Sequence, residues 1–347
     1  MVELDLAADT GGDGLRCALA LSLASGRSLR LRHIRARAPS PGLQRGPLAC
    51  IAAALAVGGG EAEGMATGST ELRFVPGTPG TREHVLGGHG AAAVAHLAQT
   101  VLPALAAGDG PCRLLLRGGT HLPGAAPVAA LERSLGPLLR RAGARVELRV
   151  HRHGFAASGS GTVEIELQPP PGGLVPFDLP ARGSPRDAWA ECLAPALPPH
   201  VAERELATLA QLLHWPAQRM RVPVLPPDEG PGNALSVVLV HEHVTEVIGC
   251  SGEKGVRAEH VARRVAADVR SYLGGSGALG PQGAALWLPV LAVAVARRRQ
   301  RAAFSTTEAT GALRAQAQVI EALLPLRVGL NTRRAGRCDI ELLPLSR

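Results

Sequence analysis

The chain has 347 residues, 46% of them hydrophobic and 2% aromatic, with a formal net charge of +8. That length exceeds one ordinary core and that apolar share excludes global disorder, so two domains or one large elaborated domain are expected. Aromatic rings are too few to stack successive bases, so any contact with nucleic acid has to rest on phosphates.

The N-terminal stretch VELDLAADTGGDGLRCALALSLASGRSLRLRHIRA predicts a strand, a glycine turn, a helix over about 14–25, and a strand in which Leu29 and Leu31 alternate with polar residues. The next helix, LACIAAALAVGGG, stops at its glycines. A second unit follows as TELRFVPG, the apolar helix GAAAVAHLAQTVLPALAAGDGP and the strand CRLLLRGGT. A third runs from APVAALERSLGPLLRRAGA into RVELRVHRHG and GTVEIELQP. LQPPPGGLVPFDLPARGSP is a Pro/Gly boundary. Beyond it come a helix, PHVAERELATLAQLLH, a strand, LSVVLVHE, and a helix, RAEHVARRVAADVRSYLGGSG, which together make a small inserted domain. The last third supplies AALWLPVLAVAVA, the hydroxyl-rich loop Ser305-Thr306-Thr307, a helix starting near Thr310 or Gly311, and two strands. The expected fold is α/β of the α+β type. A large domain over 1–178 and 276–347 holds four related strand–helix modules, and a small α/β domain occupies 179–275.

The start MVELDLAADTGG is acidic where a signal peptide is basic, and no apolar run is long enough to span a bilayer. A cytoplasmic protein without a membrane partner is the expectation. Six cysteines are scattered singly, with no zinc spacing and no disulfide pattern, and read as small buried apolar residues. The positive charge is carried by arginine, Lys254 being the one lysine. Arginine suits phosphate recognition, but an Ala/Arg-rich, Lys-poor chain is also what a GC-rich genome yields.

Nine stretches, from DTGGDGLRCALALSLASG through IRARAPSPGLQRGPL, TGSTELRFVPGT, QTVLPAL, LRGGTHLPGAAP, HGFAASGSG, PPHVAERELATL and PPDEGPGN to SGEKGVRAE, stand in the order found in RNA 3′-terminal phosphate cyclases. The resemblance covers nearly the whole chain. It implies a large domain of four βαβαββ-like repeats interrupted before the last by a small α/β domain. It also implies a chemistry: ATP, with Mg²⁺ or Mn²⁺, adenylylates a histidine, AMP passes to an RNA 3′-phosphate, and the 2′-hydroxyl displaces it to leave a 2′,3′-cyclic phosphate.

Where the family has Glu-Gly-Gly-Gly-Gln and then Leu-Arg, this chain has Asp9-Thr10-Gly11-Gly12-Asp13-Gly14-Leu15-Arg16. The resemblance implies a metal link for Asp9, a nucleotide turn at Gly11 and Gly12, and a phosphate contact for Arg16. A plain glycine turn with a solvated arginine explains the same residues. Arg35 and Arg45 are retained as a candidate anion pair for RNA phosphates, while the histidine that follows them in the family is Pro47. Gln99 and Pro123 stand at positions implied to contact nucleotide. Ala91-Ala92-Ala93 replaces Ala-Gly-Ser, and His121-Leu122 replaces Asp-Asn. A lone loop histidine such as His121 is expected at the surface. HGFAASGSG keeps Gly159 and Gly161. In the last repeat the Asp-Gln pair has become Ala284-Ala285. Aligned without gaps from Ile320-Glu321, the nucleophilic histidine falls on Ala312, with Ala315-Gln316 one turn later, and no histidine follows His260. Glu308 is a remote alternative acceptor.

Three functions stay open on these residues. One is a non-cyclising family member that binds an RNA 3′ end or a phosphate-rich partner. The second is an active ATP-dependent cyclase with another acceptor. The third is a protein-interaction scaffold that binds no RNA.

Overall fold

A computed structural model describes residues 1–9, 11–77, 82–88, 92–155, 161–333 and 336–345. The first module is β1 (Val2–Asp5), α1 (Asp13–Ser25), β2 (Leu29–Arg32), α2 (Arg45–Gly58), β3 (Gly60–Glu63) and β4 (Leu72–Pro76). Its sheet runs β1-β2-β4-β3, with β1 and β2 parallel and the other pairs antiparallel. The turn into α1 needs Gly12 at φ +80°, and the turn out needs Gly26 at φ +71°, whose N–H bonds to the Ser22 carbonyl. Every residue of α1 from 14 to 22 is buried. A helix apolar on all sides has to lie inside.

The second module repeats the design with β5 (Glu83–Gly87), α3 (Val94–Ala106), β6 (Cys112–Gly118), α4 (Val128–Ala130), a π-helical turn over Leu131–Leu135, α5 (Gly136–Arg141), β7 (Arg145–Arg152) and β8 (Gly161–Gln168). Its sheet order is β5-β6-β8-β7, again with a parallel first pair. The two middle units read separately from the sequence therefore share one four-stranded sheet, except that TELRFVPG, the first strand of the earlier unit, is β4 of the first module. Among the described residues the large domain holds three modules rather than four. The sequence pattern counted helix-plus-strand pairs, and one βαβαββ module contains two of them.

The small domain carries β9 (Pro185–Leu193), α6 (His200–Leu213), β10 (Met220–Arg221), β11 (Ala234–His241), β12 (Thr245–Ser251) and α7 (Ala258–Gly274), with sheet order β10-β9-β11-β12. It has its own core, centred on Leu209, Leu235, Val237, Val265, Val269 and Tyr272. The last module is α8 (Pro281–Arg298), β13 (Ala302–Thr306), α9 (Gly311–Leu323), β14 (Leu326–Arg333) and β15 (Arg337–Pro344), with sheet order β13-β15-β14. A parallel bridge from Leu279 to Thr306 stands where a first strand would pair. Ser305 and Thr306 thus end a strand instead of forming a loop. Their hydroxyls are buried: Ser305 Oγ donates to the Pro180 carbonyl at 2.8 Å and accepts from the Ala278 N–H at 2.8 Å.

In the large domain α1 packs on α3 and α9, and α8 packs on α3 and α9. These four helices form the centre, with the sheets outside them. Trp287 of α8 is fully buried there. Five of the six cysteines are buried, as expected of small apolar residues. No helix among the described residues is long and apolar enough to cross a membrane.

Candidate functional site

Helix starts converge on one cleft. It is lined by Asp13 and Arg16 of α1, His96 and Gln99 of α3, Gly124 and Ala126 ahead of α4, Pro281, Gln282 and Ala285 of α8, and Thr310 and Ala312 at α9. Its volume is about 220 Å³. Each helix N-terminus brings unpaired N–H groups and a partial positive charge, the usual basis for an anion site.

The chain supplies anions of its own to two of these ends. Asp9 is 4% exposed, and its carboxylate accepts the Gly12 N–H at 3.0 Å and the Leu15 N–H at 3.1 Å. Burial pushes its carboxyl above the ordinary value, opposed by the Leu15 N–H. Both oxygens are thus engaged in closing the start of α1. At α8, Glu246 of the small domain is 2% exposed and accepts the Gly280 N–H at 3.0 Å. Burial lifts its pKa to about 7 against the pull of the Gly280 and Gly283 amides. At α9 the Thr310 hydroxyl accepts the Leu313 N–H at 3.3 Å, which fixes the helix start where the sequence placed it.

Arg16 is 7% exposed. Its Nη2 donates to Asp13 Oδ1 at 2.7 Å and its Nη1 to the Gly11 carbonyl at 3.3 Å, while Nε is buried without a partner. Gly11 and Gly12 therefore sit directly against the arginine rather than standing free. A Cβ on Gly12 would come within 3.3 Å of Arg16 Nη1. Gln99 lines the cleft beside Arg16, with its Oε1 buried and unpaired. Pro123 is exposed in the turn just before Gly124 and does not itself line the cleft.

Ala312 lies in the first turn of α9 and presents a methyl group to the cleft. Gln316 is buried one turn on, its amide donating to the Ala285 carbonyl at 3.0 Å. Glu308 is exposed and lines a neighbouring cavity with Glu246, Asp268 and Thr307 instead.

Arg35 and Arg45 are not among the lining residues. Arg35, at φ +51°, donates through Nη1 to the Gly42 carbonyl at 3.3 Å. Arg45 is exposed at the first position of α2. The three candidate arginines are thus divided between the cleft and the surface of the first module. Ala92 and Ala93 are buried ahead of α3. Ala91 and Gly159 lie outside the described residues.

His121 is a correction: it is buried, 5% exposed, rather than at the surface. Its Nε2 lies 3.0 Å from His153 Nδ1, and its ring stacks on Phe155 with centroids 4.8 Å apart. Burial pushes its pKa down to about 3, so the imidazole is neutral near pH 7 and serves packing.

Two lining residues were passed over in the sequence. Asp13 was read as a departure from a glutamine and given no role. His96 was read as part of an apolar helix. Burial, and then the Arg16 guanidinium, push the His96 pKa down to about 3, against Asp13 and a hydrogen bond to the Gly124 backbone. It is a neutral imidazole in the same cleft as Ala312. Among the described residues no three His, Cys, Asp or Glu side chains converge as metal ligands. Asp13 is the one carboxylate lining the cleft, and it is bonded to Arg16. These residues make a poor fit to a directly ligated divalent cation.

Three βαβαββ-like modules around a common cleft at converging helix starts, with a further α/β unit inserted ahead of the last, define a repeat-built α+β protein whose modules share one cleft. A family profile described as RNA 3′-terminal phosphate cyclase matches residues 7–330, and the chain belongs to that family. It is 38% identical over 329 residues to the RNA 3′-terminal phosphate cyclase of Ectopseudomonas mendocina, with 94% of each chain covered. Proteins of the same name from Pseudomonas fluorescens and Ralstonia nicotianae are also 38% identical, over 330 and 336 residues. These cover 94% and 96% of this chain and 94% of each relative.

Proposed function

We propose that this chain is an RNA 3′-terminal phosphate cyclase-like protein that binds an RNA end or a phosphate-rich partner without cyclising it. The observation that carries this reading is Ala312: the position aligned with the family's AMP-accepting histidine lines the cleft with a methyl group. Loss of a covalent nucleophile typically costs on the order of 10⁶ in kcat. The electrostatics support the same conclusion. A triphosphate needs uncommitted positive charge, and Arg16, the one cation lining the cleft among the described residues, is bonded to Asp13.

A second reading is favoured by one observation, the neutral His96 imidazole in the cleft. On that reading the chain is an active ATP-dependent cyclase in which His96 accepts AMP. Against it stands the low basicity that burial imposes, since a weakly basic nitrogen is a weak nucleophile.

One experiment separates the two. The purified chain is incubated with ATP radiolabelled at the α-phosphate and with Mg²⁺ or Mn²⁺, denatured, and counted for protein-bound label. A parallel sample contains a 3′-phosphorylated oligoribonucleotide. No retained label and no cyclic phosphate are expected. Label that is retained by the parent and lost in His96→Ala would establish the second reading and overturn the first.

A further inference from the structure

The charge in the cleft is already balanced. At α1 the Gly12 and Leu15 amides are held by Asp9, and at α8 the Gly280 amide is held by Glu246. These are donors a phosphate would otherwise meet at a helix start. Arg16 is engaged as well, one terminal nitrogen bonded to Asp13 and the other to the Gly11 carbonyl, while its Nε has no partner. A phosphate is best held by a guanidinium whose charge is uncommitted, and here the Asp13 carboxylate already answers that charge. Apart from this Asp13–Arg16 pair, no side chain lining the cleft among the described residues carries a formal charge near pH 7, since burial keeps His96 neutral.

What the lining offers is a different set. It has the Asp13 carboxylate, whose Oδ1 alone is bonded to Arg16, the neutral imidazole of His96, the side-chain amides of Gln99 and Gln282, and the Thr310 hydroxyl. Carboxylate, amide and neutral imidazole together match groups that both donate and accept, which is the chemistry of hydroxyls. The volume, about 220 Å³, lies below the roughly 300–1,000 Å³ usual for whole small-molecule ligands and suits a single sugar ring.

We infer that the cleft receives the 2′,3′-diol of an RNA terminus carrying no terminal phosphate, with Asp13 accepting a hydrogen bond from a ribose hydroxyl, and that it discriminates against a 3′-phosphate. The inference rests on the proposed binding of an RNA end and names which end is bound. A 3′-phosphate brings a charge approaching −2 at pH 7. It would lie beside Asp13, and among the described residues lining the cleft the one cation, Arg16, is already paired with that carboxylate.

The test uses the full chain and 5′-fluorescein oligoribonucleotides of one sequence, titrated by anisotropy. Their 3′ ends carry a 2′,3′-diol, a 3′-phosphate, or a 2′-deoxy-3′-hydroxyl. The diol is expected to bind about tenfold tighter than the 3′-phosphate, the scale of one charge-assisted hydrogen bond. The deoxy end is expected to fall between them. Asp13→Asn, which removes the charge at constant shape and frees Arg16, is expected to tighten binding of the 3′-phosphate and erase the preference. Equal or tighter binding of the 3′-phosphate by the parent overturns the inference while leaving RNA-end binding intact. An undiminished tenfold preference in Asp13→Asn also overturns it. If none of the three oligonucleotides binds, the reading of the chain as an RNA-end binder fails first, and this inference fails with it.

Discussion

Asp9 is the residue for which a catalytic and a structural role predict opposite measurements. Its carboxylate is almost wholly buried and takes two backbone N–H groups, from Gly12 and Leu15, at the start of a helix enclosed in the core. In Asp9→Ala both donors lose their acceptor inside the protein. A buried donor left unsatisfied costs about 1–3 kcal/mol, and loss of a helix cap alone costs about 1 kcal/mol. Relief of the burial penalty on the carboxylate offsets part of this, so the expected loss is about 2–4 kcal/mol. Asp9→Asn keeps one acceptor oxygen and should lose about half as much. Urea unfolding followed by the fluorescence of Trp287, buried on α8 in the same core, reads the effect directly. If Asp9→Ala unfolds within about 0.5 kcal/mol of the parent, the carboxylate is not closing α1, and a direct role at the cleft becomes the better account of it.

The pH dependence of stability tests Glu246. Its folded pKa is raised from the ordinary 4.5 to about 7, so between these values the folded chain holds a proton that the unfolded chain releases. Stability attributable to this group is therefore present below about pH 4.5 and is lost as pH rises to about 7, by up to about 3 kcal/mol. Glu246→Gln should lack this decline and be more stable than the parent at pH 8, as read by urea midpoints at pH 5 and 8; an equal pH slope in both proteins refutes the assignment. Gly232→Ala should destabilise by about 1–3 kcal/mol, because the added methyl would collide with the root of the Phe155 side chain rather than a flexible end. A neutral result in thermal unfolding would show that this contact between the small domain and the second module is loose.

Elements with a local cause were legible in the sequence. The span of α1 follows from Gly12 and Gly26, which only glycine fits cheaply at positive φ, and the start of α9 follows from Thr310 as its cap. The module count was not legible, because helix and strand periodicity does not say which strands share a sheet. The antiparallel pairing of β6 with β8 is what merges the two middle units. β3, with the sequence Gly-Glu-Ala-Glu, has no apolar alternation and is a strand only because it pairs with β4. The site was half legible. Gln99, Arg16 and Ala312 do line one cleft. His96 was invisible, since a histidine in the Val94–Ala106 helix is indistinguishable from a core residue until the topology sets it opposite α9. His121 misled for the reverse reason: a loop histidine is ordinarily solvated, and here His153 and Phe155 cover it.

On the proposed non-cyclising reading, Ala312 and Asp13 belong together. Covalent transfer of AMP needs an acceptor atom and enough positive charge to hold the nucleotide phosphates. On the proposed reading Ala312 leaves that position without an acceptor, and Asp13 is paired with Arg16, the one cation that lines the cleft among the described residues. Either change alone would leave the other half of the apparatus without a use. Decay of an unused pocket gives no reason for an ordered ion pair, a half-buried neutral imidazole and two amides to remain around a cavity of about 220 Å³. A polar lining that costs free energy to bury, with Gln99 Oε1 and Arg16 Nε left unpaired inside it, is better explained by a ligand than by its loss. The proposed ligand, a terminal ribose, carries its own donors and acceptors and little charge, whereas a triphosphate carries several negative charges.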